Sequence, residues 1–201
     1  MLIGLTGKYC AGKNHVAAIL EKRGVPVLDV DKLGYQALEA EKETIFAKFG
    51  WDLQKADGSL DRRLLGKRIF GKPEKLAEAE AIIHPSVNRL VNEWITRDTT
   101  EQNKPRVINA ALLHRAAVFT QLDCIILVTS PLFTRLLRAK RRDKLSWQEI
   151  LKRFLSQKKF NSQYLSVKAE IYRVRNPEIV GSRKMNQKLE QKIDKILEGI
   201  K

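Results

Sequence analysis

The chemistry of this chain concentrates first in the octet Gly7-Lys8-Tyr9-Cys10-Ala11-Gly12-Lys13-Asn14, between apolar Leu2-Ile3-Gly4-Leu5 and the helix-like Val16-Ala17-Ala18-Ile19-Leu20. Strand, glycine loop, lysine and helix in that order form a phosphate-binding loop in its expected context. Two glycines let the backbone curl until successive N–H groups and the helix N-terminus converge on one anion. Lys13 adds a full positive charge for the β- and γ-phosphates. Gly7, Cys10, Ala11, Gly12, Lys13, Asn14 and His15 are therefore the candidate nucleotide-binding residues. The last position normally supplies a Ser or Thr hydroxyl to Mg2+; here Asn14 is the candidate metal ligand, through an amide carbonyl that can still bind a hard cation.

A second concentration is basic. From Arg135 to Lys159 there are ten Lys and Arg residues against Asp143 and Glu149. Lysines in such a run belong to solvated helix faces, whereas arginines, with their planar fork, have the better claim on phosphate. Carboxylates appear at the end of a predicted short strand, Val25-Pro26-Val27-Leu28, followed by Asp29-Val30-Asp31. Open parallel sheets bind ligands at that edge, which would bring Asp31 to the phosphate loop; it could equally cap a helix starting at Lys32. His15, His84 and His114 lack zinc-type spacing. Cys10 and Cys124 read as reduced thiols, with Cys10 either activated by its helix N-terminus or simply a small residue that fits the loop.

The elements that must position these groups alternate between strand and helix. After the first helix and the second strand, Leu33 to Arg97 has helical periodicity broken at Gly50, Ala56-Asp57-Gly58, Gly71-Lys72-Pro73 and His84-Pro85. A single crossover does not need so many residues, so residues 33–97 are expected to be an inserted helical substrate-binding subdomain. Leu64, Leu65, Ile69 and Phe70 form one apolar face there, and Leu76, Ala79, Ile82 and Ile83 another. Arg97 to Pro105 reads as a surface loop, and Val107-Ile108-Asn109 and Cys124 to Val128 as buried strands. Ser130 as N-cap and Pro131 as first-turn proline should open a helix through Arg142, and Ser146-x-x-Glu149 is a capping box for the next. Ala169 to Val174 is a candidate last strand, and Met185, Leu189, Ile193, Ile196 and Leu197 stripe a final helix.

The chain has 201 residues, 43% of them hydrophobic, and a formal charge of +15 from 38 Lys and Arg against 23 Asp and Glu. That suits one α/β core with an insertion. No apolar run reaches membrane-spanning length and no signal peptide precedes the first strand, so a cytoplasmic protein with no membrane partner is expected. The charge excess fits nucleic acid or a polyphosphate substrate. Trp147, Phe154 and Phe160 sit at helix-packing positions rather than along a stacking groove, so no nucleic-acid partner is expected. Oligomeric state is open.

Met1-Leu2-Ile3-Gly4-Leu5-Thr6-Gly7, Val27-Leu28-Asp29-Val30-Asp31, Asp57-Gly58-Ser59-Leu60-Asp61-Arg62-Arg63, Ile69-Phe70, Ile83-His84-Pro85 and Arg153-x-x-x-Gln157 together resemble the dephospho-coenzyme A kinases, from Met1 to about Asn176. The resemblance implies a P-loop kinase-type three-layer α/β fold with a parallel sheet, an inserted helical subdomain and a basic lid over residues 138–160, all in one kinase domain spanning residues 1–201. It implies transfer of the γ-phosphoryl group of ATP, with Mg2+, to the ribose 3'-hydroxyl of dephospho-coenzyme A. On it, Lys13, Asp31, Arg138 and Arg142 are catalytic, with Asp31 taking the hydroxyl proton. Asp31, His84, Leu112, Leu113 and Arg153 meet the acceptor substrate, and Asn176 belongs to the adenine site. Two departures stand out: Asn14, and Asn109-Ala110-Ala111-Leu112-Leu113-His114-Arg115 where the family has Asp-x-Pro-Leu-Leu-Phe-Glu. They leave open a nucleotide binder without kinase activity, and within the kinases a P-loop enzyme for another nucleoside-like acceptor is the alternative.

Overall fold

Strands that carry apolar residues at every position must be covered on both faces. In the computed structural model, which describes residues 1–97, 104–143, 145–157, 160, 169–177 and 183–200, this holds for β1 (Leu2–Gly7), buried along its whole length, and β4 (Cys124–Thr129). With β2 (Val27–Asp29), β3 (Arg106–Asn109) and β5 (Glu170–Arg175) they form one parallel sheet in the order β2-β3-β1-β4-β5. Alternation of side chains divides β1 between two layers. Ile3 and Leu5 pack with Val16 and Leu20 of α1 (Lys13–Lys22) and with Leu189 and Ile193 of α8 (Arg183–Gly199). Gly4 faces the other way, against Leu113 and Leu122 of the 3-10 turns that follow β3.

The strand order determines where a ligand can sit. β1 has β3 on one side and β4 on the other, so the chain leaves the end of β1 at a topological switch point, where open α/β sheets have their binding crevice. Register pairs Leu5 with Asn109 and Gly7 with Val128, so the carboxyl ends of both neighbours flank the loop after β1.

The chain divides into two compact units, one of Met1–Leu28 with Thr99–Lys201 and one of Asp29–Asp98. The second contains α2 (Val30–Ala40), α3 (Lys42–Phe49), α4 (Arg62–Ile69) and α5 (Pro73–Thr96) around Ile45, Phe46, Leu53, Leu60, Leu65 and Ala79. Each break between its helices has a local cause. Gly50, at φ 118°, ends α3, and Asp57 and Gly58 turn the chain, with Asp57 Oδ1 accepting from the Ser59 N–H at 2.9 Å. Asp61 caps α4 by accepting from the Leu64 N–H at 2.9 Å, which accounts for part of the Asp57-to-Arg63 motif.

Three sequence expectations change here. His84-Pro85 does not break a helix: α5 runs through Pro85, where the missing N–H leaves one intrahelical bond to Ala81 unmade while the apolar stripe on either side keeps the helix packed. Phe70 and Leu76 are exposed rather than part of the apolar faces, because α4 ends at Ile69 and Leu76 lies in the first turn of α5. Pro131 is the cap residue of α6 (Leu132–Asp143) rather than its first turn, its carbonyl accepting from the Arg135 N–H at 3.0 Å. The capping box is present as read, opening α7 (Trp147–Ser156). Most of the expected Arg97-to-Pro105 loop, and Lys144, Lys158 and Lys159 of the basic run, lie outside the described residues.

Candidate active site

The phosphate loop is built by backbone geometry that only some residues allow. Gly12 adopts φ 93°, in the left-handed region, and a Cβ there would lie 2.2 Å from the Asn176 side-chain nitrogen. Glycine at 12 is thus required twice, once by conformation and once by space. Cys10 also has positive φ, 59°, held by a turn in which Ala11 N–H donates to the Lys8 carbonyl at 2.8 Å. Gly12 at the N-cap of α1 makes no side-chain cap and the first turn has no acidic residue, an arrangement that suits an anion at the positive end of the helix dipole. Cys10 is buried, and burial pushes its thiol above its ordinary value, so of the two readings the small loop residue stands and the activated thiolate does not.

Lys13 is steered from the neighbouring strand. Its Nζ donates to Asn109 Oδ1 at 3.0 Å, and Asn109 Nδ2 donates in turn to Asn14 Oδ1 at 3.4 Å. Asn109 is 1% exposed, whereas Asn14 and His15 are exposed. Two of the residues that depart from the family pattern, Asn14 and Asn109, are therefore bonded to each other. His15 exchanges a 2.7 Å hydrogen bond with Asn186 of α8.

The basic helices meet the same loop. Arg138 donates to the Ala11 carbonyl at 3.1 Å and to Asn176 Oδ1 at 3.1 Å, and buried Asn176 donates its N–H to the Thr129 carbonyl at 2.7 Å. Arg138 thus buttresses the loop and ties it to the end of β5. Arg135, not singled out from the sequence, is 7% exposed, donates to the Tyr9 carbonyl at 2.8 Å and stacks on the Phe154 ring at 4.6 Å; burial lowers its pKa from the usual value. Gln157, from the Arg153-x-x-x-Gln157 motif, accepts from the Tyr9 N–H at 2.7 Å.

Tyr9 is the residue that sequence reasoning passed over. Its hydroxyl donates to Asp143 Oδ2, its ring meets Phe154 edge-on at 5.5 Å, and the guanidinium groups of Arg142 and Arg153 lie over it at 5.3 and 5.7 Å. Arg142 also donates to Asp143 Oδ1 at 2.6 Å. That bond, helped by Tyr9, holds the Asp143 carboxyl below its usual range, while burial and Asp143 raise the Tyr9 pKa. The sequence marks Tyr9 only as an aromatic inside a glycine loop and does not signal its pairing with Asp143.

The remaining candidates lie apart in sequence. Asp31 is in the first turn of α2, two residues beyond the end of β2; the capping role belongs to Asp29, whose Oδ1 accepts from the Lys32 N–H at 3.3 Å. Asp31 and His84, which is exposed on α5, belong to the unit Asp29–Asp98. Leu113 is fully buried against Gly4, so of the two leucines only Leu112, 46% exposed, is open to a substrate. Beyond Asn176, a cavity of about 470 Å³ is lined by Arg175, Pro177, Met185, Lys188, Leu189 and Lys192.

Residues 1–171 match the family model for dephospho-CoA kinase. The chain is 32% identical to a dephospho-CoA kinase of Treponema pallidum, the alignment covering 98% of this chain and 93% of that protein, and 34% identical to one of Treponema denticola, covering 97% and 90%. Among solved structures, TT1252 from Thermus thermophilus superposes with a TM-score of 0.80 at 31% identity, over 100% of this chain and 98% of that one. A shikimate kinase from Bacteroides thetaiotaomicron has a TM-score of 0.57 at 14% identity, over 98% of each chain, and shares the fold. The glycine loop, its lysine and the arginine helices around it thus sit in a chain that belongs to the dephospho-CoA kinase family.

Proposed function

We propose that the protein phosphorylates the ribose 3'-hydroxyl of dephospho-coenzyme A at the expense of ATP, giving coenzyme A and ADP. The observation that carries this reading is the phosphate cradle itself: a glycine loop running into the N-terminus of α1, with Lys13 steered by Asn109 and Arg138 bracing the loop from behind. In the reaction a bond forms between the 3'-oxygen and the γ-phosphorus, and the bond from that phosphorus to the β,γ-bridging oxygen breaks. Such chemistry needs positioning and charge neutralisation more than covalent help. Lys13 and the loop amides hold the β- and γ-phosphates. Asp31 takes the proton of the 3'-hydroxyl. Arg138 and Arg142, joined by Arg153, which shares Asp143 with Arg142, offset charge on the triphosphate in the transition state. The cavity beyond Asn176 takes the adenine, residues 33–97 are the acceptor subdomain, His84 and Leu112 are acceptor-binding residues, and residues 138–160 act as the lid.

Among the described residues no group of three or more His, Cys, Asp or Glu converges as a metal cage. The cradle fits a cation that arrives with its nucleotide, because Mg2+ keeps much of its hydration and needs few protein oxygens. Asn14 Oδ1 would be the protein's ligand, and the ion would supply neutralisation of the β- and γ-phosphates.

Asp31→Asn tests the assignment of the base. ATP affinity should stay nearly unchanged while turnover falls at least roughly a hundredfold, the scale for losing a positioned general base. Near-wild-type turnover by a folded variant would remove Asp31 from the mechanism.

A further inference from the structure

The order of donors and acceptors from Lys13 to Asn14 has only one solution. A lysine ammonium can only donate, so the atom of Asn109 at 3.0 Å must be its carbonyl oxygen. The amide nitrogen of Asn109 is then on the other side and can only donate, so the atom of Asn14 at 3.4 Å must be the Asn14 carbonyl oxygen. With Asn109 1% exposed, this orientation is locked by burial as well as by bonding. Lys13 thus dictates, through Asn109, which end of the Asn14 amide turns inward.

A carboxylate at 109 would upset both links. Its two oxygens only accept, so one of them would oppose the Asn14 carbonyl and force that amide to turn or withdraw. It would also place a negative charge 3.0 Å from Lys13, beside the place where the nucleotide's own negative charges collect. Whatever else Lys13 touches, an amide at 109 leaves the cradle one negative charge poorer than a carboxylate would.

Resting on the reading of this loop as the ATP site, we propose that Asn109 and Asn14 are a matched positioning pair that makes nucleotide binding tolerant of the loss of divalent cation. The neutral amide steers Lys13 without opposing the phosphates, so less of their charge has to be neutralised by Mg2+ before ATP can settle.

The test is ATP affinity of the full chain by titration calorimetry, in excess Mg2+ and in EDTA. The wild type should lose less than about tenfold in affinity in EDTA, and a larger loss would overturn the inference. Asn109→Asp should widen the ratio between the two conditions by at least about tenfold, as expected for one added charge within several ångströms of the phosphates in a partly screened site. An unchanged ratio would overturn the inference, because a purely structural defect weakens both affinities alike. Should Asn109→Asp fail to fold, Asn14→Thr with Asn109→Asp carries the same charge and gives the carboxylate a hydroxyl donor to face. That double variant should fold and show the same widened ratio, and a wild-type ratio in it counts against the proposal. Absence of ATP binding by the wild type in either buffer would refute the nucleotide site itself, whereas binding that collapses only in EDTA would refute this inference alone.

Discussion

Replacing Gly12 by alanine should damage the phosphate loop through two separable effects. The first is conformational: at φ 93° and ψ 29° an alanine pays roughly 1–2 kcal/mol for the left-handed region. The second is steric, since the new Cβ would lie 2.2 Å from Asn176 Nδ2 and 3.2 Å from an Arg138 nitrogen. Asn176 is 2% exposed, and turning its amide away from the new methyl breaks its 3.1 Å bond from Arg138, at about 1.5–3 kcal/mol for a hydrogen bond to a charged group. Together Gly12→Ala should cost roughly 2.5–5 kcal/mol, and Asn176→Ala alone about 1.5–3 kcal/mol. In the double variant the clash is gone and the Arg138 bond is lost only once. Its cost should then resemble that of Gly12→Ala alone and fall short of the sum by about 1.5–3 kcal/mol. Equilibrium urea unfolding of the three variants measures this, with midpoints moving at constant slope. Additivity within about 0.5 kcal/mol would refute the claim that Asn176 is what a side chain at 12 strikes.

The Tyr9–Asp143 contact predicts a pH window. The Asp143 carboxyl is held below 3.8 by Arg142 and Tyr9, so its contribution is complete above that pH and is lost as pH falls through the depressed value; Tyr9 is raised above 10.0 by burial and Asp143, so its contribution is complete below that pH and is lost as pH rises through the raised value. The difference in Tm between wild type and Tyr9→Phe should be flat from about pH 5 to 9 and shrink on either side, whereas a difference constant from about pH 2 to 12 would contradict the assignment. Amide hydrogen exchange in Leu132–Asp143 and Trp147–Ser156 should slow when ATP is added, because an anion relieves repulsion among the gathered cations; unchanged exchange at saturation would mark these helices as a solvated basic face.

What could be read from the sequence followed local rules. The uninterrupted apolar runs of β1 and β4, the Ser146–Glu149 box and the stripe of α8 each have a short-range signature, and each is found where expected, except that Met185 at the start of the α8 stripe is exposed. The loop was legible because glycine spacing reports backbone geometry directly. Pro85 misled because the cost of one unmade helical bond is smaller than the gain from packing a 24-residue amphipathic helix. From the sequence Asp31 could cap a helix starting at Lys32, whereas the helix starts two residues earlier, at Val30, and the extended backbone at Asp29, with ψ 96°, gives the cap to Asp29. Tyr9 with Asp143, and Asn109 with Asn14, are separated by 134 and 95 positions, and spacing along the chain carries no signal for pairs so distant. Parallel register creates them, through Leu5 opposite Asn109 and Gly7 opposite Val128.

Transfer of phosphate from ATP in this cradle to dephospho-coenzyme A is tested most directly by its products. Coupled detection of ADP, with ATP, Mg2+ and purified protein, should show release that depends on dephospho-coenzyme A, saturates with it, and is matched mole for mole by coenzyme A phosphorylated at the 3'-position. Adenosine and shikimate, offered as acceptors under the same conditions, should leave ADP at the background rate. Measurable ATP binding without any ADP release dependent on dephospho-coenzyme A would contradict the account and leave a nucleotide-binding protein in its place.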